Sequence, residues 1–498
     1  MLLAATVYSE PTVITYGFLV LAILLALSFE FVNGFHDTAN AVATVIYTNT
    51  LKATPAVVWS GIWNLIGVLA SSGLVAFGIV SLLPVELVLN IGSAAGLAMV
   101  FSLLISAILW NVGTWYLGLP ASSSHTLIGS IIGVGLASAL MGPTRSISDG
   151  VNWAKAGDVG LGLLISPLVG FLASALLLLL CKALIKRPSL YRAPRGDTPP
   201  PLWIRAILVV TCTGVSFAHG SNDGQKGMGL IVLILVGILP ATYALKLSAP
   251  QSAVSEVAIS AKALGSVFEK SAAGTTTNEQ DSNATLTAFL KSSGKPSGSV
   301  FSALTYKCDD LFRRLETSKT LEDLPPSERG TVRTDIYLIS KSITKMEKSG
   351  ALTDPSDMAL AAKLRTNGEQ LSNFIPDWVK YAVALALGLG TMIGYKRIVV
   401  TVGEKIGKHH MTYAQGGAAG LVAMSTILIA GHYGLPVSTT HVVTSGVAGT
   451  MAANKSGIQR ATLRNILLAW VLTLPVCIFL GALLFAFGLN LIALLGLT

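Results

Sequence analysis

Charge is scarce in this chain. Charged residues make up 12% of its 498 positions, against about a quarter in soluble globular proteins. Outside residues 241–377 only nine acidic residues remain. A mean hydropathy of +0.67 and 52% hydrophobic residues exclude a soluble globular fold. Cysteine is sparse too. Cys181, Cys212, Cys308 and Cys477 are scattered and show neither a disulfide framework nor metal-ligand spacing. No Gly-x-x-x-x-Gly-Lys-Ser/Thr loop is present, so nothing points to ATP drive. No basic stretch or small-residue cleavage site brackets the first apolar run, Tyr16 to Asn33, so it reads as a mature span and not as a signal peptide. The net charge of +9 comes wholly from outside residues 241–377, where 18 basic residues face nine acidic ones. These basic residues sit in short loops, the positive-inside pattern, and not on one clustered face. A nucleic-acid partner is therefore excluded.

What the chain does have is a series of apolar runs long enough to span a bilayer, which takes roughly 20 residues. They cover 14–48, 55–80, 97–117, 120–141, 158–183, 203–241, 377–395, 412–433, 435–453 and 463–494. The chain divides into a first transmembrane repeat (1–183), a basic linker (184–202), the start of a second repeat (203–241), a polar insert (242–376) and the rest of the second repeat (377–498). The insert reads as part helical, over 254–270, 301–317 and 334–348, and part flexible. If each run crosses once, the basic clusters Lys182–Arg205, Lys396–Lys408 and Lys455–Arg464 share the cytoplasmic side. Runs 14–48 and 203–241 are too long for one ordinary crossing, and a doubling back in either would move the insert to the other side.

Two phrases occur twice. "NGFHDTANA" (33–41) aligns with "HGSNDGQKG" (219–227) at an offset of 186. "GLPASSSH" (118–125) aligns with "GLPVSTTH" (434–441) at 316. The difference between the offsets is close to the length of the insert. Two homologous halves, the second interrupted, explain both. Five crossings per half would make the repeats inverted, a common build of secondary transporters. The expected fold is an all-α polytopic membrane protein of about 10–12 transmembrane helices in two inverted repeats, with broken or re-entrant helices and a partly helical soluble insert.

Three acidic residues lie within apolar runs: Glu30, Asp37 and Asp223. A charge at membrane depth is costly and marks a site. Glu30, Asn33, Asp37, Asn40 and Thr44 recur at helical steps, as do Ser216, His219, Asp223 and Lys226, so each half offers a polar stripe centred on an aspartate. The bland alternative is interhelical hydrogen-bond glue. Gly214, Gly220, Gly224, Gly227 and Gly229 crowd the second stripe and permit helix breaks or close backbone approach. Lys226, the one lysine well inside a span, is a partner for Asp223, for Asp37 or for substrate.

In GLPxSxxH the Gly-Leu-Pro interrupts a helix, and Pro suits the first turn of a new one. The following hydroxyl residues are N-cap material. Each phrase thus reads as a helix N-terminus inside the membrane, an anion cradle without Arg or Lys. His125 and His441 end the phrases and either relay protons or hold the broken helix through a carbonyl.

With these residues in view, the stretches "NGFHDTANAVATVIYT", "WNVGTWYLGLPASSSHTLIG", "HGSNDGQKGMGL", "GLGTMIGYKRIVVTVGEKIGK" and "GLPVSTTH" resemble the Pit family of inorganic phosphate transporters, in its bacterial type. The resemblance covers nearly all of the chain except about 242–376. It implies a non-enzyme, multi-pass in a bacterial inner (plasma) membrane, that imports phosphate by proton symport with alternating access. The implied cargo is a neutral magnesium or calcium hydrogen phosphate. Eukaryotic relatives use sodium and carry glutamates where this chain places Asn64 and Gly420. The expected partners are phosphate, a divalent metal, protons and lipid, with a homodimer suggested by the family and no resident cofactor.

The candidate substrate-binding residues are Asn40, Ser122, Ser123, Ser124, Thr126, Asn222, Lys226, Ser438, Thr439 and Thr440. Glu30, His36, Asp37, His125, His219, Asp223 and His441 are candidates for proton or cation coupling, with Asp37 and Asp223 also as metal ligands. The rivals are a transporter of sulfate or another tetrahedral oxyanion, sodium-coupled phosphate symport, a channel, and an intramembrane Ser/His hydrolase. The hydrolase lacks an evident triad.

Overall fold

The computed structural model describes residues 12–494 apart from 84, 90–91, 143–146, 148–149, 195, 197, 273, 275–276 and 293. Residues 1–11, where the sequence shows no basic leader, lie outside the described part. The described chain has helices and no strand.

In the first half the helices are α1 (Val13–Tyr47), α2 (Ala53–Leu69), α3 (Leu74–Val80), the short α4 (Val85–Leu89), α5 (Ala94–Tyr116), α6 (Ser123–Met141) and α7 (Trp153–Leu184). The second half has α8 (Leu202–Ile238) and the one-turn α9 (Pro240–Tyr243). The insert follows as α10 (Gln251–Glu269), α11 (Glu279–Lys291), α12 (Gly298–Glu316), α13 (Pro326–Lys348) and α14 (Pro355–Ser372). Then come α15 (Asp377–Met392), α16 (Lys396–Val400), α17 (Tyr413–His432), α18 (Thr439–Ala453) and α19 (Arg460–Leu494).

Among the described residues seven helices are long and apolar enough to cross a membrane, or nine if the bent pairs α2–α3 (77°) and α15–α16 (56°) each make one span. The sequence expectation was higher because it counted 435–453 as a span. α18 starts only at Thr439, and its 15 residues reach about 22 Å at 1.5 Å per residue, short of the roughly 30 Å apolar core of a bilayer. The long runs 14–48 and 203–241 do not double back. Each is one continuous helix, of 35 and 37 residues.

Two compact units emerge. The larger holds Val20–Pro84, Ser93–Ile231 and Ile375–Thr498. Its packing is reciprocal between the halves: α6 lies on α19 and α18 on α7, while α5 pairs with α6 and α17 with α18. Glycine makes the closest approaches. Gly34 faces the Leu387 carbonyl on α15, and Gly220, at the repeat offset, faces the Asn64 carbonyl on α2. Gly224, Gly227 and Gly229 meet Val68, Glu30 and Ala76. The glycines of the second stripe therefore serve close packing and do not break α8, which runs unbroken through them.

The breaks lie elsewhere, where the αL residues Gly118 (φ 67°) and Gly434 (φ 66°) end α5 and α17. Leu119 N donates to Thr114 O, and Leu435 N to Ala430 O, both at 2.9 Å. This is the six-residue closure of a Schellman end, repeated residue for residue. Pro120 and Pro436 stand two residues before the caps Ser122 and Ser438, not in the first turn of the new helices. Their missing N–H and fixed φ keep the chain from continuing the old helix.

The second unit is built on Val85–Gly92 and Val232–Phe374. The insert is more ordered than its composition suggests. Five helices enclose a core that includes Leu264, Phe268, Leu304, Leu311, Ile339 and Leu364. α11 occupies much of the stretch that reads as flexible, because Asn278 caps it and Leu286 and Phe289 bury on one face. Arg333 donates to the carbonyls of Ala244 (3.2 Å) and Ser372 (2.5 Å), fastening the start of the insert to its end.

Candidate functional site

Both polar stripes are buried, and they meet. Asp37 on α1 and Asp223 on α8 are 2% and 0% exposed. His219 lies between them, with Nε2 3.5 Å from Asp37 Oδ2 and 3.5 Å from Asp223 Oδ2. One atom from each of the three residues fits within a 4.8 Å cluster. The His219 Nδ1 faces Asn64 Oδ1 at 2.9 Å, and Asn64 in turn donates to Thr391 at 2.9 Å. This network assigns the proton to Nδ1. Nε2 makes no hydrogen bond among the described residues and points its remaining valence at two carboxylates. Such a nitrogen suits a second proton or a cation.

The tips of two helical hairpins, α5–α6 (the first) and α17–α18 (the second), close over this cluster. Ser122 and Ser438 cap α6 and α18 by accepting from the backbone N–H of His125 (3.2 Å) and His441 (3.1 Å). Their side chains thus define the helix starts. The next hydroxyls turn to the acids. Ser123 donates toward Asp37 (3.3 Å) and Asp223 (3.4 Å), Thr439 to Asp37 (3.3 Å), and Thr440 to Asp37 (2.7 Å). Asn40 donates to Thr440 at 3.2 Å, and Lys226 donates to Ser124 at 2.6 Å. Ser124 donates to the Val437 carbonyl of the other hairpin at 2.8 Å, so the tips touch.

The remaining sequence candidates fall into three places. His36 flanks the cluster: Nδ1 is 3.2 Å from Asp37, and Nε2 is 3.1 Å from Thr114 on the first hairpin. Glu30 is fully buried and accepts from the Gly227 amide (2.7 Å) and from Asn33 (3.3 Å). Lys226 pairs with Asp223 at 2.8 Å, close enough for an ion pair though not aligned as a hydrogen bond. His125 and His441 stack on each other with centroids 4.5 Å apart. Thr126 is turned back into its own hairpin, donating to Asn111 (3.0 Å) and to the Ser122 carbonyl (2.8 Å). Asn222 donates to the Leu435 carbonyl at 3.3 Å.

Three supporting residues escape sequence reasoning. Thr391 anchors Asn64 from within an apolar run, where a lone threonine carries no signal. Asn111 holds Thr126 inside the first hairpin. Trp470 stacks on His441 (4.0 Å) while its indole N–H donates to the Pro120 carbonyl (3.0 Å), bridging the two tips. Only Asn64 was marked beforehand, through the family resemblance.

The profile of the "Phosphate transporter family" matches residues 33–481. The chain is 41% identical to "Low-affinity inorganic phosphate transporter PitA" of Escherichia coli (strain K12), covering 93% of this chain and 95% of that protein. It is 41% identical to "Low-affinity inorganic phosphate transporter PitB" of the same organism, over 95% and 97%. It is 40% identical to "Low-affinity inorganic phosphate transporter" of Buchnera aphidicola subsp. Acyrthosiphon pisum (strain APS), over 95% and 96%. A solved structure described as "The sodium-dependent phosphate transporter" superposes with a TM-score of 0.52 at 19% identity, covering 96% of this chain and all of that one. At that identity the likeness speaks for the fold.

Proposed function

The chain belongs to the phosphate transporter family, and we propose that it carries inorganic phosphate across a bacterial inner membrane as a proton-coupled secondary transporter. The cargo is a neutral complex of hydrogen phosphate with a divalent cation. One observation carries this reading: Asp37, His219 and Asp223 converge directly beneath the hydroxyls of two hairpin tips.

The chemistry follows from the two layers. Hard divalent cations take oxygen ligands, which Asp37 and Asp223 offer. His219 Nε2 faces the same point and completes the cation side or carries the coupled proton. Above it, the N-termini of α6 and α18 present unpaired N–H groups that favour an anion. Ser123, Thr439 and Thr440 donate to the carboxylates here. Once a cation occupies those carboxylates, the hydroxyls turn to phosphate oxygens. Pairing the dianion with a divalent cation removes the large cost of placing uncompensated charge in a dry site. The reciprocal packing of the halves supports an inverted repeat, in which rocking of the two hairpins exposes the site to each side in turn.

A sodium-coupled reading competes. The departure at Asn64 weighs against it, because this neutral side chain is spent on His219 and Thr391 where sodium-using relatives carry an acid. The test is radiolabelled phosphate uptake into proteoliposomes holding only this protein, under a proton or a sodium gradient, with and without magnesium. Uptake driven by protons and dependent on magnesium is expected. Sodium-driven, magnesium-independent uptake overturns the coupling and the cargo. Accumulation of sulfate in place of phosphate overturns the substrate.

A further inference from the structure

The repeat offsets place Asn40 opposite Lys226 and Thr440 opposite Ser124. The structure honours that correspondence. Each residue lies three positions after its aspartate, and each donates to the second residue after a hairpin cap: Asn40 to Thr440 at 3.2 Å, Lys226 to Ser124 at 2.6 Å. The consequence differs between the halves. In the first, the Thr440 hydroxyl donates a hydrogen bond to Asp37 at 2.7 Å. In the second, Ser124 turns away to the Val437 carbonyl, and the Lys226 ammonium stands 2.8 Å from Asp223. A fixed positive charge thus occupies the Oδ1 side of Asp223, where a monovalent cation would otherwise sit, and leaves Oδ2 to the cluster with Asp37 and His219.

We infer that Lys226 is a tethered cation that substitutes for one transported monovalent ion, and so fixes how many ions accompany each phosphate. This rests on the phosphate reading above and deepens it. The ammonium is 0% exposed, and so is Asp223. A second compensation points the same way. Glu30 is the extra acid of the first stripe and has Ser216 as its counterpart. Its carboxylate accepts the amide of Gly227, next to Lys226 in the chain. The extra acid of one half and the extra base of the other are therefore neighbours. Removing the base alone leaves two buried carboxylates short of a counter-charge, an arrangement that must recruit one from solution.

The test replaces Lys226 by the residue its counterpart carries. Purified wild type, Lys226→Asn and Lys226→Arg are reconstituted, and phosphate uptake with magnesium is measured in sodium, potassium or choline. Charge per phosphate is read on solid-supported membranes. Wild type and Lys226→Arg should be indifferent to the monovalent cation. Lys226→Asn should take up phosphate roughly tenfold faster with sodium or potassium than with choline, a difference of about 1.4 kcal/mol in cation binding. It should also move one more charge per phosphate. An active Lys226→Asn indifferent to all three cations overturns the inference. So does a variant that melts like wild type yet is inactive in every cation. If Lys226→Asn does not fold, Lys226→Gln takes its place under the same criteria. If wild type itself takes up no phosphate, the phosphate reading fails. The tethered-cation inference is then decided by melting, because only the neutral variant should be stabilised by sodium over choline.

Discussion

Around Asp37, α1 carries Asn33, His36 and Asn40, and around Asp223, α8 carries His219, Asn222 and Lys226 at the matching positions. Histidine and asparagine have changed places around a constant aspartate. The exchange sends the two imidazoles to different work. His219, one turn before Asp223, reaches inward and sits 3.5 Å from both acids. His36, adjacent to Asp37, reaches outward to Thr114. Similar backbones at the repeat offset thus deliver one histidine to the centre and one to the rim. The hairpins differ in the same way. The first is tied internally by hydrogen bonds between Ser106 and Ser130 and between Thr126 and Asn111. At the repeat offset from Asn111 and Thr126 the second has Ile427 and Val442, both buried in the apolar core. The repeated phrases stand on matching helices, and the departures from symmetry decide which groups each aspartate meets.

The largest expected effect separates the aspartates. Asp37 receives three hydroxyls, Asp223 only one beside its lysine. Asp37→Asn should lower phosphate uptake by at least about a hundredfold, since charge-assisted hydrogen bonds are worth roughly 1.5–3 kcal/mol each. Asp223→Asn should lower it less; equal losses in a paired uptake assay would erase the distinction. Next come the histidines. His219→Asn makes the two stripes alike at that position and removes the nitrogen between the acids, so proton-driven uptake should fall about tenfold or more, about 1.4 kcal/mol. His36→Asn should leave most of the proton dependence, as read from uptake against external pH.

Gly34→Ala and Gly220→Ala test where symmetry holds. Both introduce a Cβ onto a facing backbone carbonyl. Each should destabilise by about 1–3 kcal/mol, the usual cost of overpacking. Melting in detergent that separates the two widely would break the correspondence of the halves at these paired glycines. A smaller effect belongs to the second half alone, which carries the insert. There burial pushes the Asp335 carboxyl up to about 7, and Lys307, 2.7 Å away, pulls it down only in part. A carboxyl raised in the folded state lends stability below its ordinary range near 3.8 and loses it as pH rises through about 7. Hydrogen exchange in α12 and α13 of the full chain should therefore quicken over that window. Asp335→Asn should flatten the dependence.

Much of this was legible in advance because membranes make sequence speak plainly. A buried acid such as Asp37 stands out in an apolar run, and a phrase such as GLPxSxxH signals a helix end through its own covalent limits: Gly in αL, Pro without an N–H, Ser at the cap. The misread features depend on neighbours. Gly220 reads equally as a break or a contact until Asn64 is placed against it. Ser122 and Ser124 look alike in "ASSSH", yet one caps a helix and the other joins the two tips. Thr126 belongs to the same run and faces away, because the fourth residue past a cap has come one full turn up the helix, where its hydroxyl meets the Ser122 carbonyl.

The sequence by itself determined the class, the repeated phrases, the helix breaks at Gly-Leu-Pro and the acids that lie within apolar runs, since these follow from local backbone chemistry and from the cost of charge in lipid. Only the tertiary structure decided that residues hundreds of positions apart share one cluster, that His219 and not His36 stands between the acids, and that Lys226 answers Asp223. Those outcomes depend on which helix faces which, and helix pairing is set by shape and packing that the order of residues along one helix does not contain.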